Sequence, residues 1–195
     1  MQFSDFINPA NLALVAGFVL CGPAQAENHG TQSTRVASLT AGLFCAPEDG
    51  ARREAPDTLA GWIHVPEAPI ELIAEGQVVP ARIGVGFGVR YSLTDTSPTE
   101  IRYTVTHPPM PPSGQTSQSW NSFVSPGGLD TALFQFDYDE ELQPGDWSFS
   151  ASTEGEVLFT VEFTILPSVD LPSMAGLCGN ASLLSSIPGT RAAAG

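Results

Sequence analysis

Hydrophobic and polar residues alternate between residues 144 and 166, in two runs separated by a short polar segment. In the first run Trp147, Phe149 and Ala151 alternate with serines, and the polar segment Thr153-Glu154-Gly155 follows. The second run has its apolar residues at every other position, namely Val157, Phe159, Val161, Phe163 and Ile165. A period of two puts these side chains on one face of a strand, whereas a helix would scatter them. The pattern predicts an antiparallel hairpin whose apolar face must be covered by a second sheet.

Similar alternation upstream predicts further strands at residues 36–45, 59–65, 84–93, 101–105 and 129–138, with weaker candidates at 72–80 and 115–125. In residues 84–93 one face is apolar and the other carries Gly84, Gly86 and Gly88. Such a bare face predicts the close approach of a neighbouring chain or ring. Charge, proline and glycine predict a loop at 46–57, and four prolines predict an extended, polyproline-like connection at 107–114.

Seven or eight short strands without a convincing helix predict an all-β fold, an immunoglobulin-like antiparallel β-sandwich. A small closed barrel is the structural alternative. We expect the sandwich to occupy residues 34–167, after a flexible segment at 27–33. The segment 168–195, rich in Ser, Ala, Gly and Pro, is expected to be a tail of low order.

Residues 1–26 have the pattern of a signal peptide. An apolar core runs from Leu12 to Gly22, too short to cross a bilayer, and Ala24-Gln25-Ala26 supplies the small residues of a cleavage site. The segment before the core contains Asp5 and no Lys or Arg, so an apolar N-terminal helix of the domain is the alternative. The pattern predicts a periplasmic or secreted protein whose mature chain has no membrane span.

Charge and cysteine usage fit an exported chain. The formal net charge is -14, and all seven basic residues are arginines. This field repels phosphate backbones, which argues against nucleic acid as a partner. Beyond the leader only Cys45 and Cys178 remain, and such a pair predicts a disulfide that tethers the tail to the first strand. Two buried free thiols are the alternative.

Two segments resemble a known family. These are Val79-Pro80-Ala81-Arg82-Ile83-Gly84-Val85-Gly86-Phe87-Gly88-Val89-Arg90-Tyr91 and, downstream, Pro144-Gly145-Asp146-Trp147-Ser148-Phe149. They resemble an uncharacterised bacterial family, a domain of unknown function with a V/I-P-A-x-x-G-x-x-F-G pattern and a late G-x-W-x-F hairpin. The resemblance covers about residues 59–167. It implies an exported, immunoglobulin-like domain and carries no catalytic residues.

Two histidines, His64 and His107, are the candidates for catalysis. The chain has neither G-x-S-x-G nor H-E-x-x-H, but either histidine could meet a serine and an acid in space, because a triad is defined by geometry. A small secreted hydrolase is therefore an alternative function. Because His64 alternates with Ile63 and Val65, we expect it to point outward.

Two groups of residues have metal-ligand chemistry. Asp137, Asp139, Glu140 and Glu141, followed by Asp146, could hold calcium, although they lack the spacing of a calcium-binding loop. Ordinary exposed carboxylates are the alternative. His107 and Met110 are a ligand pair suited to copper, against the simpler explanation that this proline-rich segment rigidifies a crossover. The expectation is that the domain has no cofactor, with calcium as the alternative.

Three aromatic residues, Trp62, Tyr103 and Trp120, are the candidates for a binding face. Rings on a solvated sheet face can stack on sugars or receive a protein, and placement in the core is the alternative. Together these features predict a non-catalytic exported β-sandwich domain with a protein-binding or structural role. Its expected partner is another envelope protein or a glycan; a calcium-stabilised carbohydrate-binding module is a further alternative.

Overall fold

The computed structural model describes residues 30–45 and 50–178. This part of the chain contains twelve strands and three short 3-10 turns. The predicted leader and residues 179–195 of the tail lie outside these residues. The strands are β1 (Gly30–Gln32), β2 (Val36–Cys45), β3 (Ala51–Glu54), β4 (Trp62–Val65), β5 (Leu72–Glu75), β6 (Val78–Ala81), β7 (Val85–Leu93), β8 (Thr99–Met110), β9 (Gln115–Val124), β10 (Asp130–Gln135), β11 (Gly145–Thr153) and β12 (Glu156–Pro167). The turns are Asp139–Glu141, Ser168–Asp170 and Pro172–Met174.

Ten of the strands form two sheets. The first has the order β1-β12-β11-β8-β9, with β6 also pairing along β12, and the second has the order β10-β7-β2-β5. All pairings are antiparallel except that between β6 and β12, which is parallel. Strands β3 and β4 pair only with each other. Strands β9 and β10 are each the last strand of their sheet.

Aromatic side chains join the two sheets. Trp147 of β11 is 1% exposed, and its ring lies edge-to-face with that of Phe87 in β7, the centroids 5.5 Å apart. Phe87 also packs on Phe163 of β12, at 4.9 Å between centroids. The alternating apolar faces of the two sheets therefore meet in one core, and the predicted all-β sandwich is confirmed.

The glycine face of β7 allows the close approach of a neighbouring strand, as its pattern predicted. A methyl group added to Gly88 would collide with the carbonyl oxygen of Ala132 in β10, and one added to Gly86 would meet the Leu133 side chain. The glycines thus allow β10 to lie close along β7 at the edge of the sheet.

Three sequence predictions of local structure need correction. Residues 30–32, expected to be flexible, form β1 against β12, and residues 51–54, expected to be a loop, form β3. Neither segment has an apolar face, so each becomes a strand only through its partner. Strand β8 continues through His107 to Met110, which we expected to be a connection, although the pairing with β9 is interrupted between Thr106 and Met110.

One side-chain orientation in the central hairpin is wrong in the prediction. Val157 is 54% exposed, whereas its neighbour Leu158 is fully buried. The register of β11 and β12 shifts between Ala151 and Ser152, because β12 contains an extra residue there. A bulge of this kind reverses the face of the residues on one side of it, which alternation cannot reveal.

Cys45 and Cys178 are joined by a disulfide that spans 133 positions of the chain. The bond attaches the end of the described tail to β2. No helix within residues 30–45 and 50–178 is long and apolar enough to span a bilayer.

Candidate functional site

A groove of about 530 Å³ opens beside the edge strands of the two sheets. Residues of β8, β9 and β10 and of the segments that flank β10 form one part of its lining. The other part comes from the β3–β4 hairpin (residues 51–65), which we call the arm, and from residues 66–70. Because the arm belongs to neither sheet, the groove lies between a separate hairpin and the open side of the sandwich.

The arm is fastened to β9 by hydrogen bonds. The Arg53 guanidinium donates to the backbone carbonyl of Asn121 at 2.7 Å. The backbone N–H of Leu59 donates to Oε1 of Gln118, also at 2.7 Å, and Gln118 is only 2% exposed. A buried acceptor of this kind is costly to leave unpaired, so these bonds hold the arm in place.

A second set of contacts ties the arm to the end of β10. Nε2 of His64 lies 3.1 Å from the Asp137 carboxylate, and the amide of Gln135 donates to the same carboxylate at 2.7 Å. The arm is thus fixed along both sides of the groove. We expect the groove to be largely pre-formed, as most binding sites are.

A chain of polar groups lies at the base of the groove. The hydroxyl of Tyr103 is 2.6 Å from that of Tyr91 and donates to the Asp130 carboxylate at 3.3 Å. Burial raises the pKa of both tyrosines, and it also raises the pKa of Asp130, although the backbone N–H of Thr131 and the two hydroxyls favour its ionised form. Tyr103 and Asp130 both line the groove.

Strand β10 presents an unpaired edge to the groove. Phe136, just beyond the strand, donates its N–H to Val85 and accepts from Gly84, so both its backbone groups point towards β7. Since this direction alternates along an antiparallel strand, the backbone groups of Leu133 and Gln135 point away from β7. Among the described residues β10 pairs with β7 alone.

Glu141 is a buried acid at the end of the groove. Its carboxylate accepts the backbone N–H groups of Asp137 at 2.6 Å and Tyr138 at 3.0 Å, and the side chain is 3% exposed. Burial raises the pKa of Glu141 to about 7, against the two hydrogen bonds, which favour the ionised form. This acid therefore titrates near neutral pH.

The family model of DUF3859, a domain of unknown function, matches residues 32–165. The chain belongs to this family. The match includes the arm, both edge strands and every residue of the polar chain described above. The part of the DUF3859 domain that forms the groove is therefore inside the region that defines the family.

The DUF3859 chain is also similar to a solved structure, an immunoglobulin-like protein from Pseudomonas aeruginosa. The two are 20% identical, with a TM-score of 0.44, and the comparison covers 73% of this chain and 99% of that one. No curated protein matches the sequence.

The three aromatic residues predicted as a binding face do not form a flat exposed surface. Tyr103 is 2% exposed and packs on Trp120, with 5.7 Å between ring centroids. Trp62 is half-buried in the arm, with the Arg52 guanidinium 3.8 Å above its ring. All three nevertheless line the groove, so the structure gathers them around a cleft and not on a sheet face.

The two candidate catalytic histidines lie in different surroundings. His64, which we expected to point outward, is half-buried and paired with Asp137. His107 is 6% exposed, stacks on Trp147 at 4.8 Å between centroids, and has Nδ1 2.9 Å from the Pro108 carbonyl oxygen. In residues 30–45 and 50–178, no side-chain hydroxyl is hydrogen-bonded to either imidazole, so neither has the nucleophile of a triad there.

His107 and Met110, considered as copper ligands, have a protein group between them. Nε2 of Gln118 lies 3.5 Å from Nε2 of His107 and 3.6 Å from the Met110 sulfur. Both side chains are buried, and burial lowers the pKa of His107. The pair therefore belongs to the packing of the region where β8 and β9 meet.

The acidic segment does not assemble into a calcium site. Glu141 turns inward to accept backbone N–H groups and Asp137 pairs with His64, whereas Asp139 and Glu140 are exposed. Within the described part of the chain, no three acidic, histidine or cysteine side chains are placed to hold a metal ion.

Sequence reasoning missed Asp130, Tyr91 and the edge of β10 as parts of the site. Tyr91 lies among the alternating apolar residues of β7, and its only signal is a hydroxyl in an otherwise apolar face. Asp130 follows a Pro-Gly-Gly turn, where an acidic residue is ordinary. The groove arises from strands distant in sequence, so no local pattern marks it.

Proposed function

We propose that this DUF3859 domain is a non-catalytic binding domain that takes an extended polypeptide segment along the free edge of β10. The observation that carries the proposal is that this edge lines the groove with unpaired backbone groups at Leu133 and Gln135. An exposed edge is a template for another strand, and main-chain hydrogen bonds give such complexes their affinity.

The groove supports an added strand better than it supports a sugar. The rings of Trp120 and Tyr103 pack on each other, and the ring of Trp62 is already in contact with the Arg52 guanidinium. A sugar-binding platform needs open ring faces, whereas a peptide needs an edge and apolar walls. Ala132 and Phe134 face the core, so β10 stays anchored while its edge is used.

We propose further that the domain acts outside the cytoplasm on another envelope protein. The leader pattern at residues 1–26 supports export, and the bond between Cys45 and Cys178 is typical of oxidising compartments. Expression in a bacterium with a periplasm tests this step. We expect the periplasmic product to begin at Glu27; a soluble cytoplasmic product that keeps Met1 would overturn it.

The binding proposal is tested by selecting phage-displayed random peptides on the purified domain. The informative variant is Leu133→Pro, which removes an N–H directed away from β7 and leaves the bonds of β10 to β7 in place. Leu133→Ala is its matched control, because it shortens the same side chain and keeps the N–H.

We expect wild type and Leu133→Ala to bind the selected peptides and Leu133→Pro to bind them at least about tenfold more weakly. Near-ultraviolet circular dichroism and the melting temperature of each variant establish that it is folded. N-methylation of alternate peptide residues provides a second measurement that does not alter the protein. Failure to select any peptide, or equal binding by folded Leu133→Pro together with insensitivity to N-methylation, would refute the proposal.

A further inference from the structure

We infer that the segment bound in the groove carries a basic side chain, Arg or Lys, which is received by Asp130 among the aromatic rings. This inference rests on the proposed function and specifies the chemistry of its ligand. It is carried by the charge, the contacts and the surroundings of the Asp130 carboxylate.

The Asp130 carboxylate has no cationic partner in the described part of the chain. Its hydrogen-bond donors are all neutral groups, namely the Tyr103 hydroxyl at 3.3 Å, the Tyr91 hydroxyl and the backbone N–H of Thr131. Each arginine of the described residues is engaged elsewhere, as the contacts of Arg35, Arg52, Arg53, Arg82, Arg90 and Arg102 show. A half-buried carboxylate is partly removed from water, and here no cation of the protein compensates for that cost.

The other charges of the groove are also complementary to a basic ligand. Carboxylates predominate in the lining, which contains Glu67, Asp130 and Asp137 against Arg53. Arg53 is already bonded to the carbonyl of Asn121. The field within the cleft therefore attracts cations, and clefts with low-dielectric walls focus such fields.

Aromatic rings accompany the carboxylate. Trp62, Tyr103 and Trp120 line the same groove as Asp130. Apolar ring surface beside the carboxylate can pack against the aliphatic stem of Arg or Lys while the charged end of that side chain reaches Asp130. A carboxylate together with aromatic rings suits a guanidinium or ammonium group, whereas an acidic or purely apolar side chain would leave Asp130 unpaired.

Strand geometry allows one ligand to use both features. Asp130 is the first residue of β10, and the free backbone groups of Leu133 and Gln135 lie further along the same strand. A segment paired along this edge can therefore place a side chain near Asp130 while its backbone bonds further along β10. The edge supplies affinity without regard to sequence, and Asp130 supplies the selectivity.

The test compares peptides selected from the same random library on wild type and on Asp130→Asn. We expect a basic residue at a constant position in the wild-type set and no such preference with Asp130→Asn, which keeps the shape of the side chain and removes its charge. Glu162→Gln is the matched control, because Glu162 is an exposed carboxylate of β12 that does not line the groove.

A double-mutant cycle gives the magnitude. Replacing the basic residue of the best peptide by Gln should weaken binding to wild type by about tenfold to a hundredfold. The same replacement should have little effect on Asp130→Asn, and Glu162→Gln should change each affinity by less than about fivefold. The peptide replacement does not depend on the folding of any variant.

The outcomes separate the two proposals. Peptides that bind in a manner sensitive to Leu133→Pro but show no basic preference and no effect of Asp130→Asn would overturn this inference and leave the proposed function standing. If no peptide is selected by the wild-type domain, the proposed function itself fails. Selection of acidic peptides would also overturn the inference.

Discussion

The hydroxyl of Tyr91 lies 2.6 Å from that of Tyr103, and this hydrogen bond connects the two sheets through the interior of the sandwich. Tyr91 belongs to β7 in one sheet and Tyr103 to β8 in the other. Tyr103 continues the chain of contacts to Asp130 at the groove. A polar link inside an apolar core thus joins the packing of the sheets to the candidate binding site.

The link can be measured by replacing each tyrosine with phenylalanine. Tyr91→Phe and Tyr103→Phe should each lower the free energy of unfolding by about 1 kcal/mol, because each removes one side of a buried hydrogen bond. The double variant should cost less than the sum, since both single variants lose the same bond. Urea unfolding of the four proteins measures this coupling, and strictly additive effects would contradict a direct bond.

Replacement of Gly88 by alanine should destabilise the protein. Gly88→Ala places a methyl group against the carbonyl oxygen of Ala132, which is backbone and cannot swing aside. We expect a loss of about 1–3 kcal/mol in stability, as for other overpacked sites. Gly128→Ala is the control, because its nearest neighbour is 3.6 Å away. Equal melting temperatures for the two variants would contradict the close approach of β10 to β7.

Glu141 should make stability depend on pH. Its pKa is about 7 in the folded protein and 4.5 as the ordinary value, so between these pH values the folded state keeps a proton that the unfolded state has released. The contribution of the protonated Glu141 side chain to the free energy of unfolding is fully present below pH 4.5 and is lost as pH rises through 7.

Wild type should therefore lose on the order of 3 kcal/mol of unfolding free energy between these limits, and Glu141→Gln should lack this fall. Urea unfolding at a series of pH values measures the difference between wild type and variant. Glu140→Gln, at the exposed neighbouring position, should keep most of the wild-type fall, because the charge of Glu140 is the smallest influence on the pKa of Glu141. A parallel profile for wild type and Glu141→Gln would show that the buried carboxyl does not titrate in this range.

Loss of the disulfide should lower stability strongly. The bond closes a loop of 133 positions, and the chain-entropy model assigns such a loop about 4–5 kcal/mol as an upper figure. We expect the Cys45→Ser, Cys178→Ser double variant to unfold at a lower urea concentration, with a loss of about 2–5 kcal/mol. Reduced wild type should behave in the same way, and unchanged unfolding of both would contradict the expectation.

The central hairpin shows how far sequence patterns reach. Alternation predicted β11 and β12 and the burial of Trp147 and Phe163, because side-chain parity follows directly from strand geometry. It failed at Val157, since a bulge shifts parity without a mark in composition. It also missed β3, whose residues become a strand only by pairing with β4.

Two layers of strands with their apolar faces together could be predicted from the sequence, because an apolar sheet face must be covered and the chain offers no amphipathic helix to cover it. Which edges stay unpaired, and which polar groups meet beside them, depends on how distant parts of the chain pack together. Asp130 and Tyr103 lie in strands of different sheets, and Trp62 comes from the arm. These side chains come close together only because the two sheets and the arm pack against one another, and that packing involves residues from many parts of the chain.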